Sequence, residues 1–204
     1  MIRAVLFDLD GVIRHFDHDP ALEGRHGLED AALAQAAFAA PLIDEVTTGR
    51  ITRAEWIRRV GEQTGAPEAA EEWGRTPFRV DRAMTTLADE LRALGVTCAI
   101  LTNGTDTIAE EVEACGLTDH FDPIFNSADI GHTKPDPRAF AHVAQALQIP
   151  TDEIFFTDDS PTKLAGADEF GMRTHHFTGV RSLRSALRDA GLPVAPVSET
   201  HPSQ

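Results

Sequence analysis

Four short polar clusters stand out in the chain, and three of them close an apolar run. Asp8-Leu9-Asp10-Gly11 follows Ala4–Phe7, Thr102-Asn103-Gly104 follows the run VTCAIL, and Thr157-Asp158-Asp159-Ser160 follows EIFF. The fourth, Lys134-Pro135-Asp136-Pro137, lies in a proline-rich loop. Several carboxylates with no Cys or His beside them form a donor set for a hard cation such as Mg²⁺. Such a cation offsets the repulsion between carboxylates and an incoming phosphate. One Asp can then attack phosphorus as a nucleophile, and a carboxylate two residues on can protonate the leaving oxygen and later activate water. A hydroxyl, backbone N–H groups at a helix start and a lysine are suited to holding phosphoryl oxygens as charge redistributes.

These groups act together only if the fold brings them to one place. From Asp81 onward short apolar runs alternate with helical patterns. In RAMTTLADELRAL, residues Met84, Leu87, Leu91 and Leu94 recur at helical spacing and Gly95 follows as a stop. Then come VTCAIL, DTIAEEVEAC, HFDPIF, PRAFAHVAQAL, EIFFT, PTKLAGADEF, RTHHF and SLRSALRDA, strand and helix in turn. The alternation predicts an α/β fold, a doubly wound parallel sheet with helices on both faces. In such a sheet ligands gather beyond the carboxyl ends of the strands, so the clusters should share one rim.

The segment from His15 to Phe78 breaks the rhythm. It is Ala-rich and helical in pattern, with no obvious strand. LEDAALAQAAFAA, PLIDEVTT beginning at Pro41, TRAEWIRRVGEQT and PEAAEEWG read as four helices, and Thr52 with Glu55 fits a capping box. The expected organisation is a core of residues 1–14 and 80–192, an inserted all-helical cap of residues 15–79, and a fraying tail of residues 193–204.

Composition narrows the function. The 204 residues carry a formal net charge of −15, which argues against a nucleic-acid partner, because no Lys/Arg patch can neutralise phosphates. No apolar run approaches the roughly 20 residues of a membrane span, and the N-terminal residues meet acid before an h-region develops. Cys98 and Cys115 form neither a disulfide framework nor a metal spacing, and Cys98 reads as a buried thiol. A cytoplasmic setting is the expectation.

FDLDGV, ILTNG, GHTKPDP and FFTDDS, in this order around an inserted helical segment, resemble the four signature motifs of the haloacid dehalogenase-like hydrolases. The resemblance covers residues 1–14 and about 80–192, and it implies a Rossmann-like core with a small helical cap. It implies Asp8 as nucleophile, Asp10 as general acid/base, Thr102 and the backbone of Asn103 and Gly104 as the phosphate site, and Lys134 as the cation that stabilises charge. It implies Mg²⁺ held by Asp8, the Asp10 carbonyl, and one or both of Asp158 and Asp159. Lys163 is a departure, standing where many relatives carry Asp or Asn. The expected activity is a Mg²⁺-dependent phosphatase acting on a small phosphorylated metabolite, with sugar phosphates or short organic phosphates favoured over macromolecules.

Each cluster also has a plain structural reading. Asp8-x-Asp10-Gly11 fits an Asx turn, Thr102-Asn103-Gly104 a strand-to-helix turn, and Lys134 a solvated loop lysine beside a helix capped by Asp136. Four clusters in order outweigh those readings. RHFDHDP offers a second metal site but reads better as a solvated hinge. His175 and His176 read as structural. Arg50, Arg53 and Trp56 in the cap are candidates for substrate contact, although Trp56 fits a core position. A phosphomutase of the same family is the nearest rival. A non-catalytic phospho-acceptor or binding protein is the rival from another class; receivers of that kind are shorter and have no helical insertion.

Overall fold

The computed structural model describes residues 1–196. The first strand, β1 (Ala4–Phe7), is buried along its whole length. Its side chains alternate, with Val5 and Phe7 in one hydrophobic cluster and Ala4 and Leu6 in another. Two buried faces require helices on both sides of the sheet. The sheet centred on β1 also contains β4 (Thr97–Thr102), β5 (Ile124–Asn126), β6 (Ile154–Asp158) and β7 (Arg173–His176). Its order is β5-β4-β1-β6-β7, and every pairing is parallel. The order reverses around β1, which makes the carboxyl end of β1 the crevice position of a doubly wound sheet.

Five helices flank the sheet. They are α6 (Arg82–Ala93), α7 (Ile108–Ala114), α9 (Pro137–Leu147), α10 (Pro161–Glu169) and α11 (Val180–Asp189), with the short α8 (Ser127–Ile130) after β5. Capping chemistry sets their starts: the Asp81 carboxylate accepts from the Ala83 N–H at 2.8 Å and that of Asp136 from the Arg138 N–H at 2.9 Å. The expected α/β core is therefore present, with boundaries shifted by one or two residues except at β5, which begins four residues after the start of HFDPIF.

Between β1 and α6 the chain departs through β2 (Arg14–Phe16) and returns through β3 (Phe78–Val80). These two pair antiparallel, with Arg14 opposite Val80 and Phe16 opposite Phe78. The expectation of no strand between His15 and Phe78 is thus corrected. A three-residue ribbon is too short to leave an alternating pattern, and its pairing joins residues about 60 positions apart.

The ribbon carries a helical block: α1 (Leu22–Arg25), α2 (Ala32–Ala37), α3 (Leu42–Thr47), α4 (Arg53–Thr64) and α5 (Pro67–Gly74). The block has its own hydrophobic cluster around Leu33, Val46, Trp56, Val60 and Ala70. Thr52 accepts from the Glu55 N–H at 3.2 Å, as the capping pattern predicts. The helix expected over LEDAALAQAAFAA shortens to six residues. Glu23 accounts for the shortening, because its two carboxylate oxygens take the N–H groups of Ala31 and Leu33 at 2.7 and 2.9 Å. Of the tail expected to fray, residues 197–204 lie outside the described residues. Val194 is buried, and Ala195 accepts from Arg184 at 2.8 Å.

Candidate active site

The ends of β1, β4 and β6 and the loop before α9 meet at the rim. Asp8 and Asp158 are buried, with side chains 2% and 0% exposed, and the Lys134 ammonium between them is also fully buried. Its Nζ donates to Asp8 Oδ1 at 2.6 Å and to Asp158 Oδ2 at 2.7 Å. Lys134 is therefore not the solvated loop residue of the plain reading. Two contacts hold its backbone: Asn103 Nδ2 donates to the Lys134 carbonyl at 2.9 Å, and Asn103 Oδ1 accepts from the Lys134 N–H at 2.8 Å. Asn103 was expected to offer its backbone to the phosphate; its side-chain amide clamps the lysine loop. Gly166 of α10 makes the close approach to that loop possible, because a Cβ there would lie 1.8 Å from the Pro135 carbonyl oxygen.

The two carboxylates differ in what remains free. Asp158 Oδ1 accepts from the Ser160 N–H at 2.8 Å, so both of its oxygens have partners. Asp8 Oδ2 is buried with no hydrogen-bond partner. A buried orphan carboxylate oxygen is energetically costly, and it is also an open ligand position. Burial pushes the Asp8 carboxyl up from the ordinary carboxylate range, against the opposing pull of Lys134. Asp159 completes a trio with Asp8 and Asp158, their carboxylate oxygens lying within 4.8 Å of one another. Gly11 admits that approach. It adopts φ +89°, and a Cβ on it would stand 2.2 Å from Asp159 Oδ2. An all-oxygen donor set with one orphaned buried oxygen fits a hard divalent cation.

Lys163, from the first turn of α10, also enters the site. Its Nζ lies 3.8 Å from Asp8 Oδ2 and 3.9 Å from Asp158 Oδ1. Burial works to lower its pKa, but Asp8, Asp158 and Asp159 outweigh that and hold it above the ordinary lysine value. The sequence marked Lys163 as a departure from the motif without assigning it a place.

Asp10 behaves differently from Asp8. It is 41% exposed, and both of its oxygens are held by the buried Arg14, from Nε at 2.5 Å and Nη2 at 3.0 Å. Arg14 also donates to Glu111 at 2.5 Å and lies between the rings of Phe16 and Phe78, 4.9 and 4.8 Å from their centroids. Arg14 and Glu111 were not anticipated; the pairing spans 97 positions and leaves no local pattern. The two aspartates therefore occupy one rim with different partners.

Thr102 is buried at the end of β4 and, with Asn103 and Gly104, lines the cavity that runs from Asp8 and Asp10 to the helical block. His175 bonds Thr157 at 3.0 Å and Ser182 at 3.1 Å, in keeping with a structural place. The RHFDHDP segment gathers no metal-holding group among the described residues, where Asp8, Asp158 and Asp159 form the one such cluster. Instead, Asp19 accepts from the Ala21 N–H and from Arg25.

A parallel sheet whose central strand delivers a buried aspartate to a lysine and two further carboxylates, beneath an inserted helical block, is the arrangement that the four sequence motifs lead us to expect of a hydrolase. Residues 2–171 match the family model described as haloacid dehalogenase-like hydrolase, and the chain belongs to that family. It is 30% identical over 217 residues to bifunctional epoxide hydrolase 2 of Rattus norvegicus, covering 92% of this chain but only 38% of that protein. It is 28% identical over 181 residues to a sesquiterpene phosphatase of Aspergillus oryzae, covering 86% of this chain and 90% of that one. A family enzyme of Bacteroides thetaiotaomicron, crystallised with magnesium and inorganic phosphate, superposes with a TM-score of 0.70 at 22% identity, covering 86% and 93% of the two chains. Relatives with phosphatase names recur among the proteins it resembles. No helix among the described residues is long and apolar enough to cross a membrane.

Proposed function

We propose that this chain is a Mg²⁺-dependent phosphatase that hydrolyses a small phosphorylated metabolite through an aspartyl-phosphate on Asp8, with residues 15–79 as a cap over a core of residues 1–14 and 80–192. The observation that carries the reading is Asp8 itself: a buried carboxylate with one oxygen fixed by Lys134 and the other without a hydrogen bond, at the meeting point of three carboxylates.

In this reading an Asp8 oxygen attacks phosphorus, the new P–O bond forms, and the bond to the substrate's alcohol oxygen breaks. Asp10 gives its proton to that leaving oxygen, which requires it to exchange an Arg14 contact for the substrate. Water then attacks the phosphorus of the aspartyl-phosphate, Asp10 takes up its proton, and phosphate departs with Asp8 restored. Lys134 holds Asp8 in line and offsets charge on the phosphoryl oxygens, while Thr102 and the backbone of Asn103 and Gly104 bind them. Asp8, Asp159 and the Asp10 carbonyl would hold Mg²⁺, and Asp158, whose oxygens already have partners, orients Lys134. When bound, Mg²⁺ supplies positive charge that offsets repulsion between the carboxylates and the phosphoryl group. A cytoplasmic setting belongs to the same proposal, supported by the free thiols of Cys98 and Cys115.

The test is phosphate release from an aryl phosphate with Mg²⁺ or with EDTA, for the wild type and Asp8→Asn. Mg²⁺-dependent turnover lost in Asp8→Asn is expected. Turnover that survives the substitution would remove Asp8 as the nucleophile.

A further inference from the structure

The cavity above Asp8 and Asp10 has a volume of about 810 Å³ and continues into the helical block. That volume falls within the range of about 300–1,000 Å³ that encloses a drug-sized ligand. Its floor is polar and belongs to the site already described. Its walls are not. Phe16 and Phe78 flank the rim, and Phe38, Trp56, Trp73 and Leu22 line the part formed by the helices. Trp56 and Trp73 meet edge to face at 5.3 Å, and Phe38 lies 6.1 Å from each of them. Phe38 is nevertheless 59% exposed, one of three large apolar residues left open to solvent among the described residues. With Trp56 and Trp73, Phe38 forms a continuous aromatic surface along the cavity.

Most hydrogen-bonding groups of these walls already have partners within the protein, the exposed His18 and Arg75 being among the exceptions. The Trp56 N–H donates to the Ala37 carbonyl at 2.9 Å. Both Glu23 oxygens cap the start of α2. Asp19 is bound by Arg25 and the Ala21 N–H. The Thr76 hydroxyl donates to the Trp73 carbonyl at 2.6 Å, and that of Thr47 to the Ile43 carbonyl at 2.7 Å. Arg53 donates to the Gly74 carbonyl. A polyol placed against Phe38, Trp56 and Trp73 would leave its hydroxyls facing aromatic rings and engaged polar groups, and burying unpaired hydroxyls is unfavourable. An apolar chain meets no such penalty. The charged rim and the apolar wall are continuous through Arg14, whose guanidinium touches Asp10 on one side and the rings of Phe16 and Phe78 on the other.

We propose that the substrate is a phosphomonoester of a bulky apolar alcohol, with its phosphate at Asp8 and its hydrocarbon against Phe38, Trp56 and Trp73. This rests on the phosphatase reading for its chemistry, but not for its binding. It turns the expected preference for sugar phosphates towards phosphates of hydrophobic alcohols.

Two measurements separate the two readings. The first is binding of ethyl-, hexyl- and octylphosphonate, non-hydrolysable probes, followed by intrinsic fluorescence. The chain has two tryptophans, Trp56 and Trp73, and both line the cavity. Affinity is expected to rise by roughly two- to four-fold per added methylene, so that hexylphosphonate binds at least about 15-fold tighter than ethylphosphonate. The second is kcat/KM for hexyl phosphate, ethyl phosphate and ribitol 5-phosphate with Mg²⁺. Hexyl phosphate should exceed both of the others, chiefly through KM. In Phe38→Ser, chosen because Phe38 is exposed, the hexyl-to-ethyl ratio should fall several-fold in both measurements; Phe78→Ser provides the same readout from the other wall. Equal affinity along the phosphonate series, or a preference for ribitol 5-phosphate, would overturn the proposal whether or not aryl phosphate is hydrolysed. Graded phosphonate binding without any phosphate release would keep the apolar site and overturn the phosphatase reading alone.

Discussion

Lys134→Met offers the sharpest test of the arrangement around Asp8. The lysine is the short-range cation shared by two carboxylates, 2.6 and 2.7 Å away, and all three side chains are at most 2% exposed. Methionine keeps most of the volume and removes the charge. Lys163 remains, but at 3.8 and 3.9 Å and partly exposed. Removing one partner from a buried ion pair costs about 3–5 kcal/mol, because the charge left behind has lost water without regaining a partner. For a chain of this size that corresponds to a fall in Tm of roughly 6–20 °C. The sign of the pH dependence follows from Asp8. Burial already holds its carboxyl above the unfolded value of 3.8, so ionised Asp8 weighs against the fold at neutral pH, and that penalty fades as pH falls towards 3.8. Loss of the lysine enlarges the upward shift. The gap in Tm between wild type and Lys134→Met, measured in EDTA, should therefore be wider at pH 7.5 than at pH 5.5. Asp8→Asn combined with Lys134→Met should be more stable than Lys134→Met alone. Activity should fall by about 10²–10³ through lost charge stabilisation. A drop below 2 °C that is equal at both pH values would refute the reasoning, since it would mean that water screens the trio.

Gly11→Ala should weaken Mg²⁺ binding, read by the Mg²⁺ dependence of Tm, because the new methyl meets Asp159 Oδ2 and the backbone at φ +89° suits glycine alone; an unchanged dependence would remove Asp159 from the metal site. Burial pushes the Cys98 thiol up to about 12, so its thiolate fraction at pH 8 is about 10⁻⁴. Iodoacetamide at pH 8 should therefore spare Cys98 until denaturant is added and label the half-buried Cys115 first; equal labelling of the two in the folded protein would show that the pocket between β4 and α6 opens readily.

The rim was legible in the sequence because its logic is topological. Once apolar runs alternate with helices, the residue after each run must fall at the carboxyl edge, whatever separates the runs along the chain. Asp8, Thr102 and Asp158 needed no further information. Asp10 was legible only in part. Its spacing from Asp8 placed it on the rim, but its two bonds to Arg14 depend on Glu111 and on a ribbon of three-residue strands, none of which produces a local pattern. The Asn103 clamp on Lys134 was hidden for the same reason, since an amide near a turn reads alike whether it faces a ligand or a distant loop.

Trp56 shows where reading by burial alone runs short. Its helical spacing with Ile51 and Val60 indicated a core residue, and it is 8% exposed with its N–H bonded to Ala37. Yet the same ring lines the cavity above the carboxylate rim. A binding wall made of hydrocarbon is built from the same residue types, at the same spacings, as a hydrophobic core. What separates the two is whether something else covers them, and that depends on how α2, α4 and α5 lie relative to one another. Charged machinery announces itself in sequence because buried carboxylates need a reason to be buried. Apolar specificity carries no such mark, so the chemistry of this family could be read from four motifs, while the class of alcohol we propose rests on the shape and the hydrogen bonds of the helical block.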